Sequence, residues 1–333
     1  MIKWPVNLND ITRLQIEITS ICNAKCPSCE RNNYYEFEND VYKKSLIEKN
    51  RITIDQFKKW FDYDFKSLES IHLCGNVDEP TLNPDLLKIC EFISNRFPNI
   101  HCNISTNGGT KNDFFWKELA KIKKVNVIFG IDGLEDTNHI YRRNVKWKKL
   151  EKNFRTFISE GGLAVWQFIV FEHNKHQLEL AKKISKDEGF AMFLTKYSGR
   201  QNDDAIKAIQ VKKEAKKIIK CKATYNSKEL EKSFFVDAVG NVFPCCWMGT
   251  ANHRRDFYEK ISKNFYGPLS NNLKYISLEE IVSGDLFAHT FENFDKLSVC
   301  NLMCKNDETD FDLHDIDNPI IKKEVEERSR RFI

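Results

Sequence analysis

Three cysteines stand close together near the start of the chain, at Cys22, Cys26 and Cys29. Three thiolates on one short loop suit an iron–sulfur cluster or a zinc ion, since both are bound by cysteine sulfur. A cubane cluster contains four irons, so three protein ligands leave one iron open to another molecule. An open coordination position is typical of a reactive metal site. The spacing therefore predicts a reactive cluster, and the alternative is structural zinc with a distant fourth ligand such as His72 or Cys102.

A second group of cysteines lies in the last third of the chain, in a region with little regular patterning. Cys221, Cys245, Cys300 and Cys304 supply four thiols, which is enough to hold one complete additional cluster or a zinc ion. The start of the chain lacks the apolar run of an export signal, so its eleven cysteines are expected as thiols or metal ligands in a reducing cytoplasm. Of the other cysteines, Cys90, Cys102 and Cys246 are expected to be buried and inert. Cys74 is expected to be buried as well, with a role as hydrogen donor as the alternative, because it stands at a strand end beside the glutamate motif.

The elements that must position these residues can be predicted from hydrophobic periodicity. Between Arg13 and Lys196 the sequence alternates apolar, β-branched runs with helical patterns, which predicts βα units and a parallel sheet. The predicted strands are Leu14–Thr19, Ser70–Cys74, His101–Ser105, Val125–Ile131, Val165–Phe171 and Met192–Leu194. The predicted helices are Pro84–Arg96, Phe114–Lys123, Leu150–Glu160 and Gln177–Glu188. Six units are too few for an eight-fold barrel of about 250 residues, so the α/β chain is predicted to form a partial (β/α)6 TIM-like barrel or an open sheet.

Polar motifs follow the predicted strands at their carboxyl ends, where α/β folds place their sites. The cysteine loop follows the first strand, and Cys74-Gly-Asn-Val-Asp-Glu-Pro80 follows the second. Ser105-Thr-Asn-Gly108 and Gly130-Ile-Asp-Gly133 follow the third and fourth. A purely structural protein has no need for this pattern.

These motifs, in this order, resemble the radical S-adenosylmethionine (SAM) superfamily, whose hallmark is the same cysteine spacing on the loop after the first strand. The resemblance implies that Cys22, Cys26 and Cys29 bind a [4Fe-4S] cluster whose open iron chelates SAM. It also implies roles in SAM binding for residues of the later motifs. Gly75 and Glu79 would hold the methionyl ammonium, Ser105 and Asn107 the ribose, and Asp132 and Arg142 belong to the stretch whose arginine would meet the carboxylate.

The sequence departs from the family pattern at two places. Ser28 stands before the third cysteine, where the family often has an aromatic residue that packs near adenine. The glutamate motif is stretched, because three residues separate Gly75 from Glu79. Glu79 is favoured as the ammonium ligand because it precedes Pro80, and Asp78 remains the alternative.

The second cysteine group resembles the Twitch domain, the shortened form of the SPASM extension of many radical SAM enzymes. The resemblance implies an auxiliary [4Fe-4S] cluster bound by Cys221, Cys245, Cys300 and Cys304. Cys245 is preferred to its neighbour Cys246 because it satisfies the family's glycine-x4-cysteine spacing. The predicted domains are a barrel over residues 1–198, a charged linker helix over 199–220, the small cluster domain over 221–310 and a charged tail over 311–333.

Composition excludes several classes of protein. Hydrophobic residues make up 41% of the chain and charged residues 30%, which fits an ordinary globular protein and not a disordered or fibrous one. The net charge of +4 is too small a bias to argue for nucleic acid. No apolar run is long enough to span a bilayer, so a cytoplasmic protein without a membrane partner is expected.

The resemblance implies an oxidoreductase that cleaves SAM to a 5′-deoxyadenosyl radical and abstracts a substrate hydrogen. A peptide or protein side chain is the favoured substrate, and a small molecule such as a sugar alcohol or nucleotide is the alternative. An electron donor such as flavodoxin or ferredoxin is implied, and a non-enzymatic iron–sulfur carrier or redox sensor is the alternative from another class. The catalytic base is left open among four residues that follow the fifth and sixth strands: His173, His176, Lys196 and Tyr197.

Overall fold

The fold is described from a computed structural model of the chain. The described residues are 7–27, 29, 31, 49–74, 77–197, 206–207, 209, 233–250, 257, 259, 271–293, 297 and 299–300. The strands are β1 (Arg13–Ile16), β2 (Ser70–Leu73), β3 (His101–Thr106), β4 (Val125–Gly130), β5 (Leu163–Val170), β6 (Met192–Tyr197), β7 (Ser233–Val236) and β8 (Val242–Phe243).

Helices alternate with the strands in the first two thirds of the chain. The helices are α1 (Ile54–Phe61), α2 (Leu86–Arg96), α3 (Asp113–Lys121), α4 (Asn138–Tyr141), α5 (Trp147–Ser159), α6 (Leu178–Asp187), α7 (Leu278–Ser283) and α8 (Asp285–Glu292). Side chains fix several of their starts. Thr53 and Gln56 form a capping box at α1, and Asn112 accepts a hydrogen bond from the Phe115 amide at α3. Each such cap stabilises a helix by about 1 kcal/mol.

The chain divides into two compact units. Unit 1 comprises Met1–Ile21, Asn33–Asp78 and Lys213–Glu308, and unit 2 comprises Cys22–Asn32, Glu79–Lys212 and Thr309–Ile333. The boundaries proposed from the sequence at residues 198, 220 and 310 lie outside the described residues, so the predicted domain division remains a prediction.

In unit 2, strands β3 to β6 pair in parallel, each with its neighbour in sequence. One face of this sheet packs aromatic rings against α3 and α5. Trp116 of α3 and Phe157 of α5 contact Phe129 of β4 at centroid distances of 5.4 and 6.1 Å. The other face carries an apolar cluster that includes Ile128, which is in register with Val165 and through it with Met192. Burial on both faces is typical of parallel sheets flanked by helices.

In unit 1, β1 pairs in parallel with β2 on one side and with β7 on the other, and β8 pairs antiparallel with β7. The turn between β7 and β8 is built on the buried carboxylate of Asp237. This carboxylate accepts hydrogen bonds from the amides of Val239 at 3.1 Å and Asn241 at 2.8 Å. Gly240 in this turn has a φ of +92° and lies against the ring of Trp60.

The α/β fold class and the six predicted strands are confirmed. The boundaries differ by a few residues where polar side chains interrupt the apolar pattern. β6 continues to Tyr197 because Lys196 and Tyr197 pair with Ile169 and Val170 of β5. β1 ends at Ile16, and Thr19 bridges Arg51 instead. All four predicted helices are present, and α5 begins three residues earlier than predicted.

Candidate functional site

The three-cysteine loop, formed by Cys22, Cys26 and Cys29, is partly buried, and its thiols affect one another's ionisation. Cys26 is buried, whereas Cys22 and Cys29 are half-buried. The Cys29 amide donates a hydrogen bond to the carbonyl oxygen of Cys26 at 3.2 Å. Burial raises the pKa of the Cys22 thiol, and Glu79 and the other two cysteines raise it further. Metal binding at Cys22 must therefore displace a proton from a thiol that is neutral near pH 7.

The loop fits an iron–sulfur cluster through its chemistry. Among the described residues, no three cysteine, histidine or acidic side chains stand together as a ready-formed metal site. Three neighbouring sulfur donors on one loop are nevertheless the ligands that a cluster requires. Two polar donors approach the sulfurs of this loop: the side-chain amide of Asn107 lies near Cys22, and the guanidinium of Arg142 lies near Cys26. Polar donors around the ligand sulfurs are typical of the outer shell of metal sites.

The carboxylate of Glu79 is almost completely buried and joins two turns. Its Oε1 accepts hydrogen bonds from the Thr81 hydroxyl at 2.6 Å and the Thr106 hydroxyl at 2.5 Å, and from the Thr81 amide at 3.3 Å. Its Oε2 accepts from the Asn107 amide at 2.7 Å. Burial raises the pKa of Glu79, and these hydrogen bonds lower it in part. Glu79 therefore fixes the turn Pro80–Leu82 to the end of β3, in addition to its predicted role toward the SAM ammonium.

The turn after β3 points Asn107 toward the cysteine loop. The Asn107 Nδ2 atom donates to Asn23 Oδ1 at 2.9 Å and lies 3.9 Å from the Cys22 sulfur. Its Oδ1 accepts from the Gly109 amide at 2.9 Å, which fixes the orientation of the side chain. Ser105, the other predicted ribose contact, is half-buried in β3, in register with Ile128.

Arg142 lies between Asp132 and the cysteine loop. Its Nε donates to Asp132 Oδ2 at 2.6 Å, and the Asp132 side chain is completely buried. Burial alone lowers the pKa of Arg142, but Asp132 and Cys26 raise it above its usual range, so the guanidinium stays charged. Gly130 lies directly under the guanidinium, since a Cβ there would come within 2.5 Å of Nη2.

Several predicted site residues lie outside the described part of the chain, namely Gly75, Cys221 and Cys304. Of the proposed auxiliary ligands, Cys245 is half-buried after β8, and Cys300 is buried. The neighbouring Cys246 is half-buried as well, so burial does not separate the two candidates for one position. None of the nine described cysteines is in a disulfide.

The candidates for acid–base chemistry differ in their surroundings. His173 stacks on Phe171 with a centroid distance of 5.5 Å, and both of its ring nitrogens are buried without a hydrogen-bond partner among the described residues. Burial lowers the pKa of His173, which keeps the imidazole neutral and able to accept a proton at pH 7. His176 and Tyr197 are exposed, and Lys196 is half-buried.

Sequence reasoning missed the residues that support these turns. Asn153 of α5 donates from Nδ2 to the carbonyl oxygens of Gly108 and Thr110, at 2.7 Å each. Asn23 lies inside the cysteine motif but is not part of its pattern. An asparagine on the apolar face of an amphipathic helix is a sequence signal that could have identified Asn153, because a buried amide needs hydrogen-bond partners.

The sequence profile of the radical SAM superfamily matches residues 16–182. The chain belongs to the radical SAM superfamily. It is therefore an enzyme of the class that cleaves SAM with a [4Fe-4S] cluster, as the sequence predicts, and the alternative of a non-enzymatic carrier or sensor is wrong. In the part of the chain that the structure describes, no helix has the length and apolar character to cross a membrane.

The fold is similar to those of solved radical SAM proteins. SuiB of Streptococcus suis, in a crystal structure with bound S-adenosylmethionine, is 13% identical with a TM-score of 0.57, over 90% of this chain and 73% of SuiB. The protein anSMEcpe, solved with bound AdoMet, is 16% identical with a TM-score of 0.54, over 89% of this chain and 85% of that one. At these identities the similarity establishes the fold, and it confirms the predicted partial barrel.

A sequence relative is the tungsten-containing aldehyde ferredoxin oxidoreductase cofactor-modifying protein of Pyrococcus furiosus. It is 30% identical over 129 residues, which are 38% of this chain and 32% of the relative. The match thus spans about a third of the relative's length.

Proposed function

We propose that this enzyme uses the radical from SAM to abstract a hydrogen atom from a peptide or protein side chain. In this proposal Cys22, Cys26 and Cys29 hold the cluster, and Gly75, Glu79, Ser105, Asn107, Asp132 and Arg142 bind SAM or position its ligands. When bound, the cluster and SAM supply a 5′-deoxyadenosyl radical at the carboxyl ends of the strands. The chain has to hold SAM in one orientation and exclude water and other hydrogen donors.

The observation that carries the site assignment is that two predicted SAM contacts converge on the cysteine loop. Asn107 lies 3.9 Å from the Cys22 sulfur, and Arg142 acts on Cys26 as a charge and as a hydrogen-bond partner. Both side chains are already oriented by other groups, Asn107 by Asn23 and Arg142 by Asp132. Pre-oriented polar groups beside the cysteine loop would suit a ligand with ammonium, carboxylate and ribose groups.

The proposal of a peptide substrate is supported by the structural relatives. SuiB has also been solved with the precursor peptide SuiA, with a TM-score of 0.57. anSMEcpe has been solved with a Cp18Cys peptide, with a TM-score of 0.52. A small-molecule substrate is the second candidate. It is favoured by the Pyrococcus furiosus relative, whose name describes a cofactor-modifying protein.

We further propose an auxiliary [4Fe-4S] cluster bound by Cys221, Cys245, Cys300 and Cys304. When bound, this cluster would accept the electron left on the substrate radical, which allows a two-electron oxidation without oxygen. The proton released in that step needs an acceptor, and neutral His173 has one unprotonated ring nitrogen that can accept it. Flavodoxin or ferredoxin is proposed as the donor that reduces the first cluster.

The chemistry is tested by anaerobic reconstitution with iron and sulfide, followed by dithionite and SAM. We expect 5′-deoxyadenosine to form with the wild-type protein and to vanish in Cys26→Ala. The matched control is Cys90→Ala, which removes a buried thiol of α2 outside the cysteine loop and should leave the reaction unchanged. Failure of iron-loaded wild-type protein to produce 5′-deoxyadenosine would contradict the proposal.

The two substrate classes are separated by adding candidate substrates to the same reaction. Peptides encoded beside the gene are compared with small molecules handled by neighbouring enzymes. A peptide substrate should raise the rate of 5′-deoxyadenosine formation and change its own mass. If only a small molecule is changed, the peptide proposal is wrong and the second candidate holds.

A further inference from the structure

The segments that carry Cys26 and Arg142 are joined directly. The Lys25 amide donates a hydrogen bond to the carbonyl oxygen of Arg143 at 2.9 Å. Cys26 and Arg142 are the chain neighbours of these two residues, so their side chains start from adjacent points. The Arg142 side chain makes a hydrogen bond to Cys26. The guanidinium therefore faces the cysteine loop.

The guanidinium is held in place from two other sides. Its Nε donates to Asp132 at 2.6 Å, and Asp132 is itself fixed because its Oδ1 accepts from the Ile169 amide at 2.6 Å. Its Nη2 rests on Gly130, where any Cβ would come within 2.5 Å. The Asp132 contact uses the Nε hydrogen, so the Nη hydrogens remain available to acceptors on the side of the cysteine loop.

We propose that Arg142 is a positioning residue that donates a hydrogen bond to the Cys26 sulfur and raises the reduction potential of the cluster held by the three-cysteine loop. The inference rests on the proposed ligand set and deepens it. It gives Arg142 a partner in the protein besides the SAM carboxylate that the family resemblance implies. Gly130 contributes to the same effect, because its missing side chain leaves the space in which the guanidinium lies.

The physical reason is electrostatic. Reduction adds negative charge to a cluster and its sulfur ligands, so a hydrogen bond to a ligand sulfur stabilises the reduced form more than the oxidised form. Asp132 offsets part of the positive charge of Arg142. The shift in reduction potential therefore depends on the hydrogen bond that Arg142 donates to the Cys26 sulfur as well as on the charge of Arg142. A lysine keeps the charge but not the planar fork of donors, so it should restore the effect only in part.

The test is an anaerobic redox titration of reconstituted protein. The electron paramagnetic resonance signal of the reduced cluster monitors the titration. The signal that changes when SAM is added to the wild-type protein identifies the relevant cluster. We expect a more negative midpoint potential in Arg142→Gln and a smaller shift in the same direction in Gly130→Ala. Arg142→Lys should lie between the wild-type protein and Arg142→Gln.

The matched control is Arg155→Gln. Arg155 also pairs with a carboxylate, Glu188, at 2.8 and 2.6 Å, but it lies on the exposed side of α5. Its replacement should leave the potential at the wild-type value. The inference would be overturned if iron-loaded Arg142→Gln and Gly130→Ala both had the wild-type potential. A lower affinity for SAM in these variants would not rescue it, because Arg142 would then act on SAM alone.

Two further outcomes separate this inference from the proposed ligand set. If Arg142→Gln fails to take up iron, Gly130→Ala decides, since it retains the arginine and displaces only the flexible end of its side chain. A wild-type potential in that variant overturns the inference. If the wild-type protein binds no cluster whose signal responds to SAM, the ligand set is wrong and the inference falls with it.

Discussion

The Glu79 carboxylate is buried and accepts four hydrogen bonds, so its removal should affect stability as well as SAM binding. In Glu79→Gln an amide NH2 must face one of these donors, which leaves a buried polar group unpaired. We expect a loss of about 2 kcal/mol in the free energy of unfolding. Urea denaturation of the apo-protein measures this loss.

The matched control for that experiment is Glu118→Gln. Glu118 lies on α3 and pairs with Lys121 on the surface. Exposed ion pairs contribute little to stability, so the urea midpoint should stay at the wild-type value. Equal midpoints for the two variants would show that the Glu79 contacts do not stabilise the folded chain.

The imidazole of His173 makes the stability of the protein depend on pH. Burial lowers its pKa in the folded state, so the unfolded chain takes up a proton first as the pH falls. Stability from this source is complete above the unfolded pKa of about 6.5 and is lost as the pH decreases through and below it. The wild-type protein should therefore lose more stability between about pH 7.5 and about pH 5.5 than His173→Leu.

His173→Leu also removes two buried nitrogens that have no partner among the described residues. We expect this variant to be more stable than the wild-type protein by about 1 kcal/mol at neutral pH. His176→Leu, at an exposed position close by, removes a smaller contribution to the lowered pKa of His173 and should retain most of the wild-type pH dependence. The prediction is wrong if the two variants respond to pH in the same way.

At the scale of elements, the turn after β3 requires glycine. Gly108 has a φ of +66°, and a Cβ there would lie 2.5 Å from Leu150 and 2.9 Å from Phe129. Gly161, after α5, has a φ of +84°, and a Cβ there would meet no atom within 4 Å. Both positions carry the backbone cost of a left-handed conformation, but only Gly108 adds a steric clash.

We expect Gly161→Ala to cost about 1 kcal/mol and Gly108→Ala to cost about 1–3 kcal/mol more. Gly108→Ala should also weaken SAM binding, because the clash moves the turn that orients Asn107. Denaturation midpoints and SAM titrations of the reconstituted variants measure both effects. Equal losses of stability for the two variants would contradict the packing argument.

The elements of the parallel sheet were predictable because apolar, β-branched segments alternate with helical patterns along the chain. For the turns that carry the site, the sequence predicts where they lie along the chain but not which residues support them. Nothing local in the sequence indicates that Asn153 reaches the carbonyl oxygens of Gly108 and Thr110, since that contact depends on how α5 packs. The pairing of β7 with β1 was missed for the same reason, because a four-residue strand specifies no partner by itself.

At the scale of the whole molecule, the proposed clusters can be counted. Two cubane clusters require about eight irons per chain, and one requires about four. We expect about eight in the wild-type protein and about four in Cys300→Ala, measured by iron and sulfide analysis after anaerobic reconstitution. The control Cys102→Ala removes another buried thiol and should retain about eight.

The same measurement decides between the neighbouring cysteines that follow β8. Cys245→Ala should lower the iron content as Cys300→Ala does, and Cys246→Ala should not. About four irons in the wild-type protein, or one equivalent of zinc, would remove the auxiliary cluster from the proposal. The predicted reaction of the first cluster would be unaffected by that result.

The pairing of β1 with β7 has a consequence for how the protein is made. Arg13 leaves the ribosome well before its partner Ser233, because most of the described chain lies between them. During that interval one edge of β1 stays uncovered, and open strand edges recruit other unfinished chains. Culture conditions that slow translation or supply chaperones should therefore improve the recovery of native enzyme more than stronger promoters do.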